Sequence, residues 1–254
     1  MSSHLESRLL SSLSSNSRNF LLSRCIEVDL PLKKCLYAAD VIPADAYFIT
    51  SGIASIVTAM PDGTSAEVGL IGHEGMVGGL HLLGPTKIAT ECFVQLNATA
   101  LRIPFAFLLE AFHTNEEIRG RLLEFTQEQA VTLGQLAACN RLHETEQRLA
   151  RWLLMAQDLT NSSILEFTQE FLGMMLGSRR TTVTVIAGAL QRGGMIEYSR
   201  GKMRILDRER LEAAACVCYP ITRSLTHDLY THPLASHPWN HRVLVPIGLA
   251  VVHA

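Results

Sequence analysis

The stretch from residue 168 to residue 194 constrains the fold more than any other part of this 254-residue chain. Its sequence, TQEFLGMMLGSRRTTVTVIAGALQRGG, predicts two short helices joined by a tight turn at Gly177. Thr168 is a good N-cap for the first helix, and Ser178 can cap the second. Apolar residues in the second helix recur at the three- and four-residue steps of one buried face. These residues are Val183, Ile186, Ala187 and Leu190.

The other face of the second helix is polar and basic near its N-terminal end. Helices that read DNA present this end to base edges in the major groove. Residues 181–185 are β-branched throughout, and by propensity alone they would favour a strand. We expect a helix because the buried stripe and the arginine pair both require one. The side chains predicted to face DNA are Arg179, Arg180, Thr181, Thr182 and Thr184.

A basic hairpin is predicted directly after the two helices. Gly193 and Gly194 end the second helix, and short apolar runs flank the tip at residues 199–202. The order helix, turn, helix, hairpin predicts a winged helix-turn-helix, with Arg200 and Lys202 on the wing contacting phosphates. Three more residues complete the predicted DNA-binding set: Thr168, Gln169 and Ser178.

The charge distribution also favours nucleic-acid binding. The whole chain has a formal net charge of −2, but residues 177–204 hold six basic residues and a single acidic one, Glu197. A local basic patch on a nearly neutral protein is typical of a nucleic-acid-binding module. On charge alone, a solvated basic face without a partner is the alternative.

Residues 28–104 predict an antiparallel β-roll or sandwich, because short apolar runs alternate there with turn sequences. The glycine-rich stretch at residues 72–79 could bind an anion through backbone N–H groups, but it lacks the ending of a P-loop. Tight strand corners are the simpler interpretation of these glycines. His73, Glu74 and His81 lack the ligand spacing of a cupin metal site, so we expect no metal and no cofactor.

Residues 116–143 predict one long helix, since they contain no proline and few turn residues. A row of side chains follows it at alternating four- and three-residue steps, the spacing of a coiled coil. At about 42 Å the helix is too long for a small roll to cover, so we expect a second copy to cover this row. Packing against its own chain alone is the alternative. The row is Ile118, Leu122, Phe125, Gln129, Thr132, Leu136, Cys139 and His143.

The remaining sequence predicts a cytoplasmic protein with a loosely ordered tail at residues 220–254. Six cysteines without framework spacing favour a reducing compartment. Cys216 and Cys218 fit a redox or metal pair, although small residues at a helix end are the simpler interpretation. The N-terminus does not have the pattern of a secretory signal, and no apolar run is long enough to cross a bilayer.

These motifs together resemble the Crp/Fnr family of bacterial regulators, over about residues 20 to 219. The resemblance implies an α+β chain with a cyclic-nucleotide-binding-like β-roll, a dimerisation helix and a winged helix-turn-helix. The corresponding ranges are 20–115, 116–143 and 144–219. The matching motifs are Glu67-Val68-Gly69, Gly75-Met76-Val77-Gly78, Thr168-Gln169-Glu170-Phe171-Leu172, Arg179-Arg180-Thr181 and Tyr198-Ser199-Arg200-Gly201.

Departures from the family pattern bear on the ligand. Nucleotide-sensing members carry a glutamate at the position of Gly79 and an arginine near residues 88–89, where Lys87 is the only basic candidate here. A buried phosphodiester would lack its counter-charge and ribose acceptor, so we do not expect cyclic AMP. The iron–sulfur branch needs clustered N-terminal cysteines, which this chain does not supply. The expected ligand pocket is Gly72, Glu74, Gly75, Val77, Gly78, Gly79 and Lys87.

The resemblance implies a homodimeric regulator that binds palindromic double-stranded DNA, with an unknown small-molecule effector and RNA polymerase as a further candidate partner. Thr181 and Val185 stand where better-known relatives have charged readers, so we expect a different operator. Two alternative functions belong to other classes of protein. One is an enzyme with a catalytic roll, although nothing assembles a nucleophile with a base. The other is an effector protein that binds a cyclic nucleotide or another small molecule and does not act on DNA.

Overall fold

The computed structural model describes residues 6–61, 65–84, 87–160, 162–167, 169–199 and 201–231. Two short helices, α1 (Arg8–Ser11) and α2 (Ser15–Leu22), precede a six-stranded sheet. The sheet is followed by α3 (Phe105–Thr114) and by the long helix α4 (Glu116–Leu142). The strands of the sheet are β1 (Ile26–Leu30), β2 (Cys35–Tyr37), β3 (Asp45–Ala59), β4 (Ser65–Ile71), β5 (Met76–Val77) and β6 (Thr90–Pro104).

The sheet is an antiparallel roll built on β3 and β6, which pair along most of their length. The strand order is β1-β6-β3-β4, with β2 paired to β6 and β5 paired to β3. Near Gly52 the register of the long pair shifts and the strands bend. Gly52 has a φ of +76°, and a Cβ there would lie 2.3 Å from the carbonyl oxygen of Asn97. The bend therefore requires glycine at this position. The antiparallel pairing of the strands confirms the predicted β-roll.

The C-terminal part is a winged helix-turn-helix, as predicted. It contains a three-stranded sheet in the order β7-β9-β8. Its last helix, α9, extends back along α4. The elements are α5 (Thr145–Thr160), β7 (Ile164–Glu166), α6 (Gln169–Leu176), α7 (Arg180–Arg192), β8 (Ile196–Ser199), β9 (Lys202–Ile205), α8 (Arg208–Ala214) and α9 (Cys218–Thr231).

The α4 row predicted to meet a second copy packs instead within its own chain. Ile118, Leu122 and Phe125 are buried in one core with the roll and α3, and Cys139 is buried near the other end of the helix. Gln129, Thr132 and Leu136 line a cavity within the same chain. The prediction of this face was wrong because the most apolar side of the helix is the side that its own chain covers.

A second row on α4, five positions further along, faces solvent. Five residues correspond to a rotation of about 140° around the helix from the buried row. It keeps the four- and three-residue spacing and is rich in small side chains. Its members are Leu123, Gln127, Ala130, Gly134, Ala137 and Arg141.

The prediction of a loosely ordered tail from residue 220 was wrong up to Thr231, because these residues form most of α9. Backbone and side-chain hydrogen bonds hold α9 in place: Arg121 Nη1 donates to the Leu229 carbonyl at 2.7 Å. Thr226 Oγ1 donates to Glu128 at 2.8 Å, and the Tyr230 hydroxyl donates to the Glu74 carbonyl. The rest of the predicted tail, residues 232–254, lies outside the described residues.

The winged domain contacts the roll through Trp152 on α5. The buried indole Nε1 donates to Glu67 Oε1 at 2.8 Å, and Ser55 Oγ donates to Glu67 Oε2 at 2.7 Å. Burial raises the pKa of Glu67 to about 7, although both hydrogen bonds oppose the shift. The contact between the roll and the winged domain therefore includes a carboxyl group whose pKa lies near neutrality.

No helix in the described parts of the chain combines the length and apolar character of a membrane span.

Glu67→Gln should make stability less dependent on pH. A carboxyl group whose pKa is higher in the folded protein favours folding at low pH and loses this contribution as pH rises towards 7 and above. The parent should therefore lose stability relative to the variant between pH 5 and pH 8, by at most on the order of 3 kcal/mol. Urea unfolding across this range measures the difference. Glu110→Gln, which removes an exposed carboxyl on α3, should follow the parent. A pH-independent difference between Glu67→Gln and the parent would contradict the assignment.

Candidate DNA-binding surface and effector cavity

The turn between α6 and α7 is fixed by backbone geometry. Gly177 has a φ of +57°, and the Ser178 N–H donates to the Gly173 carbonyl at 2.8 Å. A Cβ at Gly173 would lie 2.8 Å from the Ser178 carbonyl oxygen, so the chain approaches closely at this point. Glycine at both positions therefore allows the two helices to pack tightly, and α7 is held rigidly on the domain.

Helix α7 begins one residue later than predicted. Its N-cap residue is Arg179, and the Ser178 hydroxyl donates to the Leu176 carbonyl at 3.4 Å instead of capping the helix. The β-branched run is helical, as the buried stripe predicted: Val183, Ala187 and Leu190 are buried in the domain core. Tertiary burial of this stripe overrides strand propensity.

The N-terminal half of α7 presents its polar face to solvent. Thr184 Oγ1 donates to the Arg180 carbonyl at 2.9 Å, which satisfies the hydroxyl within the helix. Within the described part of the chain, neither Arg179 nor Arg180 forms an ion pair with a carboxylate. Val185 adds an apolar side chain that is 68% exposed. The exposed residues of this face are Arg179, Arg180, Thr181, Thr182, Thr184 and Val185.

The wing follows α7, and its strand β8 packs against that helix. Strands β8 and β9 pair with Ser199 opposite Lys202, and Gly201 in the turn has a φ of +79°. Lys202 is exposed, and its Nζ lies 2.9 Å from Glu166 Oε1. An exposed pair of this kind is weak, so a phosphate can replace the carboxylate at little cost. Gln169 is the first residue of α6. Thr168 and Arg200, which complete the predicted set, lie outside the described residues.

The predicted ligand-pocket residues lie in different surroundings. Gly72 and Gly75 provide close packing instead, because Cβ atoms there would lie 2.8 Å from Leu159 and 2.7 Å from Phe125. Val77, Gly78 and Gly79 are buried in the roll, whereas Lys87 is exposed. Glu74 lines the cavity described below, and its carboxylate accepts the Gly72 N–H at 2.9 Å. These glycines therefore serve helix packing and strand corners.

His73 and His81 also have separate partners. His73 Nδ1 lies 2.9 Å from the Leu159 carbonyl oxygen on α5. His81 is buried, with its ring 4.9 Å from the ring of Tyr37 and 6.2 Å from that of Phe105. Burial lowers the pKa of His81. His81 therefore contributes to packing between elements, whereas His73 lies with Glu74 on the wall of the cavity described next.

A cavity of about 280 Å³ lies between the roll, α4, α5 and α9. Its wall combines apolar side chains such as Leu133 and Leu159 with many ionisable groups. Burial raises the pKa of Glu74 to about 7 and also raises the pKa of Glu128. Sequence reasoning missed this cavity because α9, predicted as a tail, forms part of the wall. The ionisable lining residues are Arg8, His73, Glu74, Glu128, Asp158, Tyr219, Arg223 and His227.

Two domain families match the two halves of this architecture. Residues 27–115 match the cyclic nucleotide-binding domain, and residues 147–214 match the Crp-like helix-turn-helix domain. The chain belongs to the Crp/Fnr family. As a Crp/Fnr chain it has the fold of a DNA-binding transcription regulator, with α7 as the second helix of its helix-turn-helix.

Solved structures share this Crp/Fnr fold. A protein from Eubacterium rectale described as a Crp/Fnr-family transcriptional regulator aligns with a TM-score of 0.64 and 17% identity, over 81% of this chain and 96% of that one. FixK2 from Bradyrhizobium japonicum aligns with a TM-score of 0.65 and 14% identity, over 76% and 98%. The c-di-GMP-responsive global regulator CLP from Xanthomonas campestris gives 0.61 and 15%, over 76% and 99%. Among curated proteins, no significant match is found.

Proposed function

We propose that this Crp/Fnr chain is a homodimeric, sequence-specific DNA-binding regulator that reads the major groove with α7. The observation that carries the proposal is the exposed N-terminal half of α7, where Arg179 and Arg180 lie beside exposed threonines on a rigid turn. A planar guanidinium can grip guanine O6 and N7 with two hydrogen bonds. Fixed placement of such a group by a packed scaffold supports base recognition rather than general attraction to phosphates.

The exposed residues divide between base reading and positioning. Arg180 and Thr181 lie in the first turn of α7 and are the proposed readers, with Val185 placed to contact a thymine methyl group. Lys202 on the wing contacts the backbone, as do Ser178 in the turn and, by sequence position, Gln169. Thr168 and Arg200 complete this positioning set. Arg179, Thr182 and Thr184 flank the readers on the same exposed face.

Arg180→Ala should weaken operator binding by about 1–3 kcal/mol and relax specificity at one base of each half-site. This loss corresponds to roughly a 5- to 150-fold higher Kd at fixed salt concentration. The operator is first obtained by selection of bound genomic fragments, and Kd is then measured by fluorescence anisotropy. Arg192→Ala is the matched control, because it removes an exposed arginine about 18 Å further along the same helix. Equal effects of the two substitutions would count against Arg180 as the reader.

The exposed row of α4 is the proposed dimer contact. A Cβ added at Gly134 would meet nothing within 4 Å, and the alanines at 130 and 137 lie one turn before it and one turn after it. Small side chains allow two helices to approach closely. Apolar residues border the row, with Val131 48% and Leu142 74% exposed. A second copy with the same row would cover these side chains and place two α7 helices on adjacent half-sites.

Ala137→Glu should convert the dimer to a monomer, because two carboxylates would face each other across the proposed contact. Size-exclusion chromatography with light scattering measures the change at micromolar concentration. Ala106→Glu introduces the same charge at an exposed position on α3 and should remain dimeric. If Ala137→Glu has the mass of the parent dimer, the contact lies elsewhere on the chain.

The effector is proposed to be a small molecule other than cyclic AMP that binds the cavity between the roll and the helices. Gly79 stands at the position where the resemblance requires a ribose-binding glutamate, and the glycine stretch is closed by packing against Phe125 and Leu159. The cavity wall includes α4 and α5, which connect the roll to the winged domain. A ligand that fits only one arrangement of these helices would shift the population of DNA-binding-competent dimers.

Isothermal titration calorimetry with cyclic AMP and cyclic GMP should show no saturable heat at millimolar ligand concentration. The reason is that this chain has neither the glutamate nor the arginine with which nucleotide-sensing members of the family hold the ligand. Saturable binding with a micromolar Kd would contradict this part of the proposal. It would favour the alternative function as a cyclic-nucleotide effector. A thermal-shift measurement under the same conditions gives an independent readout.

A further inference from the structure

Four metal-binding side chains converge where α4 meets the winged domain. Cys139 and His143 are four residues apart at the end of α4, Cys218 is the first residue of α9, and Cys216 lies two residues before it. Their ligand atoms all lie within 4.8 Å of one another. We propose that these three cysteines and one histidine bind a single zinc-type divalent ion in a closed structural site.

The distances fit tetrahedral coordination. Cys139 Sγ lies 3.4 Å from Cys216 Sγ, and Cys218 Sγ lies 3.5 Å from His143 Nδ1. In a tetrahedral site with zinc–sulfur bonds of about 2.3 Å, neighbouring ligand atoms are about 3.5 to 3.8 Å apart. The widest separation exceeds this spacing by about 1 Å. Small side-chain rotations can therefore bring all four atoms onto one ion.

The surroundings match the charge of such a site. The three thiols release three protons when they bind Zn²⁺, and three thiolates with one neutral imidazole give the complex a net charge of −1. Arg151 is buried and interacts electrostatically with Cys139, and its Nε lacks a hydrogen-bond partner. Among the described residues it forms no ion pair. Arg151 therefore offers the buried positive charge that the complex requires.

An outer hydrogen bond is also present. Gln135 lies one turn before Cys139 on α4, and its Nε2 donates to Cys218 Sγ at 3.1 Å. Donors of this kind stabilise a metal-bound thiolate. Packing of small apolar side chains alone would explain three buried cysteines. It does not explain why an imidazole nitrogen and an amide N–H both approach the same sulfur atom.

The position of the site gives the ion a structural role. His143 is the C-cap residue of α4, α5 begins at Thr145, and Cys216 follows α8 of the winged domain. One ion would join the end of α4 to the end of the winged domain and the start of α9. Four protein ligands leave no open position for catalysis. The ion would thus fix the angle between α4 and the DNA-binding domain.

Metal analysis of the full chain tests the proposal. The protein is produced without a polyhistidine tag in zinc-supplemented medium and purified under reducing conditions. We expect about one zinc per chain by mass spectrometry of metals, and below about 0.1 in Cys216→Ala and Cys218→Ala. Cys35→Ala should keep the metal, since Cys35 is exposed on β2. The double variant His237→Ala/His241→Ala should also keep it, which separates the site from these two C-terminal histidines.

A cobalt replacement keeps the test decisive if a cysteine variant fails to fold. The parent protein with Co²⁺ in place of zinc should show thiolate-to-cobalt charge-transfer bands and the intense visible bands of tetrahedral cobalt. Four outcomes would overturn the proposal. These are no bound metal and no such bands, zinc lost only in the histidine double variant, iron with acid-labile sulfide, and a Cys139–Cys216 disulfide in the reduced preparation.

Discussion

The burial of one face of α4 by its own chain is the contact on which the rest of the structure depends. Ile118, Leu122 and Phe125 pack into the core of the roll, and each such side chain contributes about 1.5–3 kcal/mol when fully buried. Gly75 allows this close approach. With one face fixed to the roll and α9, the opposite face remains exposed and presents its small residues to solvent.

The roll and the winged domain are joined by specific polar contacts. Trp152 on α5 donates to the half-buried Glu67 of the roll, and His73 lies within hydrogen-bond distance of the Leu159 carbonyl. The same elements border the cavity, together with α9. A ligand in that cavity would therefore touch both sides of the contact, which gives it a direct physical route to the orientation of the winged domain.

Local sequence patterns predicted the helix-turn-helix in detail. The buried stripe of α7, the glycine turn and the exposed arginine pair all follow from spacing within 27 residues, and each was found at the expected position. Only the first residue of α7 differed, since Arg179 rather than Ser178 is the N-cap. The cavity between the roll, α4, α5 and α9 was not predicted from the sequence. The cavity walls come from segments distant in sequence.

The sequence by itself determined the antiparallel roll, the long helix and the face of α7 that carries its arginines. The tertiary structure alone decided which side of α4 is exposed, that residues 220–231 form a helix, and that Cys139 and His143 meet Cys216 and Cys218. The physical reason is that periodicity shows which face of a helix is apolar. Which neighbour covers that face depends on contacts between residues far apart in the chain.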